Sequence, residues 1–227
     1  MLAACYILAI GMLRRLFTAS TIYSMMPPVL SEPPGRARRA SLDEIRQWIR
    51  GRTVLTFLGY SGAEYESHAN LLAQAITILS EHDPTKVLVN LGATPDGIGS
   101  VYLLAKERGF QTMGIVSTQA LADGASWSPA VDQIFLITDR TWGGANAAGE
   151  LRPTSAAMVA VSDYMVAIGG NTIARDELFA GRRLGKHCRF IPAESNHALA
   201  RSKARKARRP EPTSFASALG TTGWVFP

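Results

Sequence analysis

The feature that most constrains the fold is a regular alternation of short apolar segments with segments of helical periodicity between residues 53 and 192. The apolar segments predict β-strands at residues 54–58, 86–90, 112–116, 133–138, 164–168 and 189–192. Apolar residues at helical spacing predict helices at residues 69–79, 98–108, 153–162 and 173–184. Short strands that alternate with helices predict an α/β fold, namely a single Rossmann-like, doubly wound parallel sheet with helices on both faces.

Three of the predicted strands end in a glycine-rich turn. The turns read Gly-Tyr-Ser-Gly at residues 59–62, Gly-Ala-Thr-Pro-Asp-Gly-Ile-Gly at residues 92–99 and Gly-Gly-Asn at residues 169–171. Glycine lets the backbone approach a ligand closely, and the free N–H groups at the start of a following helix attract an anion. Such turns line one edge of an open α/β sheet, where phosphate-bearing ligands bind. The candidate ligand-binding residues are Gly59, Ser61, Gly62, Gly92, Thr94, Asp96, Gly97, Gly99, Gly169, Gly170, Asn171 and Thr172.

The formal charge of +6 is distributed unevenly along the 227 residues. Residues 1–52 carry 8 basic and 3 acidic side chains, and residues 195–227 carry 6 and 1, whereas residues 53–194 carry 10 and 14. The body of the chain is therefore mildly acidic. Because a nucleic-acid-binding fold is expected to present positive charge on its folded surface, we expect no nucleic-acid contact except through the basic tail.

Composition divides the chain into three predicted parts. Residues 1–40 indicate a poorly ordered extension and linker, residues 41–196 the Rossmann-like domain, and residues 197–227 a basic, disordered tail. The domain begins with the sequence Ser-Leu-Asp-Glu at residues 41–44, a capping box that predicts the start of a helix. For the tail, contact with nucleic acid or an acidic partner is the alternative to a purely solvated segment.

The apolar run at residues 1–13 does not predict stable membrane insertion. A spanning helix needs roughly 20 apolar residues, and Arg14 and Arg15 follow the run, whereas a secretory signal carries its positive charge before it. A poorly ordered extension is one interpretation, and a weak membrane-surface anchor is the other. The two cysteines, Cys5 and Cys188, fit a reducing compartment, so we expect a cytoplasmic protein. The four histidines lack the spacing of a metal site.

Three segments carry a resemblance to a known family. They are residues 57–62, residues 91–99 and residues 157–170, each of which contains or leads into one of the glycine turns. In their order and spacing the chain resembles the "lysine decarboxylase-like" or SLOG family of Rossmann-like proteins, which includes the LONELY GUY phosphoribohydrolases and the molybdenum-cofactor carrier proteins. The resemblance covers roughly residues 54–192. It implies a nucleotide or nucleotide-derived ligand, no certain further cofactor, and a homodimer.

The family's Pro-Gly-Gly-x-Gly-Thr-x-x-Glu motif is only partly present. Isoleucine or glycine stands at its proline, and Asn171-Thr172 replaces its Gly-Thr pair. A gapless alignment places Glu177 at the glutamate of the motif and Thr154 at the arginine with which that glutamate works in the phosphoribohydrolases. The nearest arginine is Arg152, two residues away. Glu177 and Arg152 are therefore the catalytic candidates that the resemblance implies.

Two main functions follow as hypotheses. The first is a protein that binds a nucleotide-derived or phosphorylated small molecule at the glycine turns. The second is a phosphoribohydrolase that cleaves the N-glycosidic bond of a modified nucleoside 5′-monophosphate. In that reaction a carboxylate beside the ribose stabilises oxocarbenium character or activates water, and a cation holds the phosphate. In a third hypothesis the basic ends make the functional contacts and the body serves only for oligomerisation.

Each candidate also has a structural interpretation. Glu177 suits the positive end of a helix whatever the function, and Asp96 would cap the following helix as readily as it would bind a ribose hydroxyl. Residues 59–63 resemble a Gly-x-Ser-x-Gly nucleophile elbow, but alanine stands at the fifth position. Trp127 and Trp142 lie in segments that either cover the site or pack at the surface.

Overall fold

A computed structural model of the chain describes residues 35–226, so the predictions for residues 1–34 lie outside this range. The strands are β1 Ala37–Arg39, β2 Thr53–Gly59, β3 Val87–Leu91, β4 Gln111–Ser117, β5 Gln133–Ile137, β6 Tyr164–Ile168, β7 His187–Ile191 and β8 Trp224–Phe226. The helices are α1 Leu42–Ile49, α2 His68–Ser80, α3 Ser100–Glu107, α4 Gln119–Ala122, α5 Pro153–Val161, α6 Thr172–Arg183 and α7 His197–Lys206, with a 3-10 turn at Gly97–Gly99. Within the described range no helix is long and apolar enough to span a membrane.

The strands form one sheet in the order β1-β5-β4-β3-β2-β6-β7-β8. Each neighbouring pair is parallel except β7 with β8. From β2 the chain proceeds through β3, β4 and β5 on one side and then crosses back to β6 and β7 on the other. The neighbours β2 and β6 therefore have connections that leave in opposite directions, which defines the topological switch point of an open sheet.

Helices cover both faces of the sheet. Side chains alternate along each strand, so each strand contributes residues to the core on both faces. On one face Leu55 and Phe57 of β2 belong to the same core as α2 and α3. On the other face Val54 and Leu58 belong to a core shared with α1, α5 and α6. Every residue of the central strand β3 is buried, as expected of a strand that is covered on both sides. The predicted fold class is confirmed.

Helix α1 begins where the capping box predicts. Ser41 Oγ accepts a hydrogen bond from Glu44 N at 3.4 Å, and Glu44 Oε2 accepts one from Ser41 N at 2.7 Å. A cap of this kind contributes about 1 kcal/mol to helix stability. The helix then buries Ile45 and Ile49 against the sheet, in the core that it shares with α5 and α6.

The chain after residue 196 differs from the predicted disordered tail. Helix α7 contains four of the six lysine and arginine residues of this segment, and β8 pairs with β7 as an edge strand. Trp224 in β8 packs on Phe190 and Phe179, with ring centroids 5.7 and 6.1 Å away. These aromatic contacts attach β8 to the domain. The prediction of a disordered tail rested on the basic residues and did not take them into account. Strand β1 likewise lies within the predicted linker; it pairs with β5, and Ala37 is buried in the core.

Candidate functional site

A cleft of about 460 Å³ opens at the carboxyl edge of the sheet. The ends of β2, β3 and β4 form its floor, with Leu58, Gly92 and Val116 among the lining residues, and the first half of α6 forms one wall. The cleft therefore lies beside the switch point between β2 and β6, where ligands bind in open α/β sheets. Its volume falls in the range of roughly 300–1,000 Å³ that is typical of small-molecule sites.

The structure brings part of the predicted residue set together. The predicted residues that line the cleft are Gly59, Ser61, Gly92, Thr94, Asn171 and Glu177. The predicted residues that do not line it are Gly62, Asp96, Gly97, Gly99, Gly169, Gly170, Thr172 and Arg152. The three glycine turns thus converge on one edge of the sheet, but several of their glycines serve the packing of that edge.

Gly97 and Gly99 are needed where the second turn packs on the first. Gly97 has a φ of 58°, and a Cβ there would lie well under 3.0 Å from Tyr60 O. The next residue, Ile98, donates its N–H to the same carbonyl oxygen at 2.7 Å. A Cβ on Gly99 would overlap Thr94 O in the same way. These two glycines are therefore explained by the fold, whatever the cleft binds.

Gly92 differs from its neighbours because nothing in the described fold requires a glycine there. Its φ lies outside the left-handed range, and apart from its chain neighbours no atom lies within 4 Å of the position that a Cβ would take. The residue nevertheless lines the cleft at the end of β3. The missing side chain leaves open space through which a ligand can approach the backbone.

Helix α6 begins at the cleft with a side-chain cap. Asn171 Oδ1 accepts hydrogen bonds from Ile173 N at 3.1 Å and from Ala174 N at 3.4 Å. Among residues 35–226 the backbone N–H groups of Asn171 and Thr172 have no acceptor. An anion at this end of the helix would be favoured by these N–H groups and by the helix dipole.

Glu177, in the second turn of α6, is the only ionisable side chain that lines the cleft among the described residues. It is 5% exposed, and its Oε1 accepts a hydrogen bond from Ser155 Oγ at 2.6 Å. Ser155 Oγ in turn accepts one from Gly144 N at 2.7 Å. Burial raises the pKa of Glu177 from 4.5 to about 7; the Ser155 hydrogen bond opposes this rise and the charge of Asp176 adds to it. Glu177 can therefore both accept and donate a proton near neutral pH.

The structure does not bring Arg152 to Glu177. Arg152 is the N-cap residue of α5 and does not line the cleft. Thr154, the residue aligned with the family's arginine, does line the cleft, but its N–H and hydroxyl donate to Asp139 Oδ2 at 3.0 and 2.9 Å. The side chain that contacts the Glu177 carboxylate is Ser155, which no motif in the sequence indicated.

The alternative roles of Asp96 and Ser61 gain no support from the geometry. The Asp96 carboxylate makes no capping hydrogen bond and does not line the cleft. Ser61 lines the cleft, but within residues 35–226 no histidine is hydrogen-bonded to its hydroxyl. In a serine–histidine catalytic pair the nucleophile is activated by such a base.

Two segments, each with a tryptophan, flank the cleft. Trp127 and Trp142 both line it, and Trp142 Nε1 donates a hydrogen bond to Asp123 Oδ2 at 3.1 Å. This bond joins the loop after β5 to the segment after α4. Trp142 remains 48% exposed, so a large part of its indole ring stays available for contact. The geometry favours the interpretation that these segments cover the site.

The hydroxyl group of Tyr65 links the ends of β2 and β6 beside the switch point, through two hydrogen bonds that we call the Tyr65 brace. The hydroxyl donates to Ile168 O at the end of β6 at 2.7 Å and accepts from Tyr60 N, just after β2, at 3.1 Å. Gly59 leaves room for this hydroxyl, because a Cβ there would overlap it. The glycine at position 59 is therefore explained by the brace, although the residue also lines the cleft.

Comparison with known proteins leaves the family open. No protein-family model matches the chain, and no curated protein matches it. Among solved structures it is similar to TM1055, a structural-genomics target, with 19% identity and a TM-score of 0.44 over 60% of this chain and 72% of that one. It is also similar to the molybdenum cofactor carrier protein from Chlamydomonas reinhardtii in two structures, with 18% and 19% identity and TM-scores of 0.44; these cover 62% and 60% of this chain and 76% and 74% of the others. These values are too low to carry an argument, so fold and function rest on the geometry of the chain itself.

Proposed function

We propose that the chain binds a nucleotide-derived or phosphorylated small molecule in the cleft at the carboxyl edge of β2, β3 and β4. The observation that carries this proposal is the open backbone at Gly92, in a cleft beside the switch point of the sheet. A glycine that the fold does not need, at the place where ligands bind in such sheets, is best explained by the close approach of a ligand.

The walls of the cleft suit a ligand with a flat apolar ring and a polar end. Trp127, Trp142 and Met158 offer apolar surface on which a base can stack. The free N–H groups at the start of α6 suit a phosphate or another anionic group. Glu177 offers a hydrogen-bonding partner to the edge of a ring or to a ribose hydroxyl.

Gly92→Leu should weaken ligand binding strongly without disturbing the fold. The leucine side chain has open space around its Cβ, but it would occupy the cleft, so we expect affinity to fall by at least about tenfold. Native mass spectrometry of the wild type, purified without denaturant, should show a mass increment from a co-purified molecule, and the variant should lack it.

The matched control for Gly92→Leu is Gly35→Leu, at another glycine with open space and a φ outside the left-handed range, but away from the cleft. Gly35→Leu should keep the mass increment, and both variants should unfold at the wild-type temperature within a few degrees. The proposal is wrong if the wild type carries no small molecule and also binds none of a panel of purine nucleotides in a thermal-shift assay.

A phosphoribohydrolase is the second candidate, and the state of Glu177 favours it. Glycosidic cleavage adds water across the bond between the ribose and the base, and it needs a group that stabilises the sugar cation or moves a proton. Glu177 is buried, lines the cleft and has a pKa of about 7. Perturbed carboxylates of this kind are candidates for general acid–base roles.

The catalytic candidate predicts that purified protein releases free base from a purine nucleoside 5′-monophosphate, with release reduced at least about 100-fold in Glu177→Gln. Chromatography of the reaction mixture measures the base. Asp96→Asn is the control, because Asp96 lies outside the lining of the cleft, and it should retain wild-type release. If the wild type binds the nucleotide but releases no base, the chain is a binding protein only.

A further inference from the structure

The cleft offers no cation for the phosphate that the proposed function brings to it. Among residues 35–226 no lysine or arginine lines the cleft, and the ionisable residue that does, Glu177, carries no positive charge. A phosphate group on a ligand has roughly one and a half to two negative charges at neutral pH. A cation just outside the lining would therefore strengthen binding.

Helix α7 is attached to the loop that follows β2. Asn196 N donates to Glu64 O at 3.3 Å, and its Oδ1 caps the helix by accepting from Leu199 N at 2.8 Å. His197 N donates to Glu66 Oε2 at 2.8 Å. These contacts hold the basic helix beside the first glycine turn, at the carboxyl edge of the sheet.

Lys203 is the cation of α7 that reaches this turn. Its Nζ donates to Gly62 O at 2.6 Å, and Gly62 is adjacent in the chain to Ser61, which lines the cleft. Two other cations of the helix have a different partner. Arg205 and Arg201 pair with Glu211 at 2.7 and 3.9 Å.

We infer that Lys203 provides the phosphate-binding cation of this site, at the first glycine turn beside Ser61. The inference rests on the proposed function. An ammonium group has three donors, and the carbonyl oxygen of Gly62 uses one of them. Because the side chain is exposed, its other donors can turn toward a phosphate at the first glycine turn.

The glycine at position 62 agrees with this assignment. Its φ lies outside the left-handed range, and a Cβ there would meet a single neighbouring atom, Lys203 Nζ at 3.8 Å. This is an ordinary contact distance, so the fold does not demand a glycine, and the ammonium group of Lys203 lies directly beside this position.

The test compares a nucleotide with the nucleoside that lacks its phosphate. Isothermal titration at low salt should show that wild type binds AMP more tightly than adenosine, and that Lys203→Gln weakens AMP about tenfold while adenosine is unaffected. Lys203→Arg should restore most of the difference, and 0.5 M NaCl should reduce it because the ammonium group is exposed. Lys206→Gln, on the same helix, is the control and should leave both affinities unchanged.

Each other outcome overturns the inference in a distinguishable way. If Lys203→Gln weakens AMP and adenosine equally, the lysine only steadies the first turn. If it changes neither affinity, another group binds the phosphate. If wild type binds neither compound, the proposed function fails for purine nucleotides, and the phosphate site fails with it.

Discussion

Replacing Glu177 with glutamine should raise the free energy of unfolding at pH 8. The glutamine keeps the shape of the side chain and an oxygen that accepts the Ser155 hydrogen bond, but it has no charge to bury. The pKa of Glu177 is about 7 in the folded chain against 4.5 for an exposed glutamate, a difference equivalent to roughly 3 kcal/mol. We expect the stabilisation to approach this value above pH 7.

The same pKa difference fixes the pH window. A folded-state pKa above the unfolded value means that wild-type stability is fully present below pH 4.5 and is lost as the pH rises toward about 7. Urea unfolding of wild type and Glu177→Gln at pH 4.5 and pH 8 measures this. An equal gain at both pH values would contradict the assignment.

Asp139→Asn is the control of opposite sign for the glutamine experiment. Burial acts to raise the pKa of Asp139, but hydrogen bonds from Thr154 and Thr141 lower it overall. Its carboxylate therefore stabilises the fold above the unfolded pKa, and this contribution is lost as the pH falls. Asp139→Asn should destabilise the chain at pH 8, where Glu177→Gln stabilises it.

A carboxylate that destabilises the fold at neutral pH is expected of a residue kept for function, which is the role that we propose for Glu177. Groups with perturbed pKa values cluster at functional sites, and residues kept for function commonly lower stability. This argument holds for a binding role and for a catalytic one, because both need the carboxyl group at the wall of the cleft.

Gly97→Ala should reduce the free energy of unfolding by roughly 2–5 kcal/mol, the sum of a left-handed backbone penalty and an overlap with packed atoms. The φ of 58° accounts for the first part, and the overlap of the new Cβ with Tyr60 O accounts for the second. Because the two glycine turns meet at this point, the variant should also weaken ligand binding. Urea unfolding gives the stability, and titration of the ligand gives the affinity.

Gly109→Ala separates the two contributions. Gly109 has a φ of 81°, but apart from its chain neighbours no atom lies within 4 Å of the position of its Cβ. It should therefore show only the backbone penalty of about 1–2 kcal/mol and bind ligand normally. If Gly97→Ala were no more destabilising than Gly109→Ala, the contact between the turns would be less tight than the structure shows.

The sequence predicted the centre of the sheet but not its edges. Strands β2 to β7 are apolar runs, and their predicted bounds differ from the observed ones by two residues or fewer. Strands β1 and β8 are short and pair through backbone groups with partners far away in the chain. No local sequence pattern predicts such pairing. The composition of these segments therefore led to the prediction of a linker and a disordered tail.

The sequence indicated where the candidate site lies better than it indicated which residues form it. The turns at the ends of parallel strands must meet at one edge, so the location follows from the order of the elements. The contact of Ser155 with Glu177 spans 22 positions, and that of Lys203 with Gly62 spans 141. Such contacts arise only when the helices pack, and they are invisible to motifs and periodicity.

The brace at Tyr65 determines which parts of the cleft can move. The ends of β2 and β6 cannot separate without breaking at least one hydrogen bond of the Tyr65 hydroxyl, and each buried polar group left unpaired costs about 1–3 kcal/mol. On the opposite side, a hydrogen bond at an exposed position, from Trp142 to Asp123, joins the two tryptophan segments. If the cleft binds a ligand as proposed, we therefore expect it to open on the tryptophan side, away from the strand ends that Tyr65 joins.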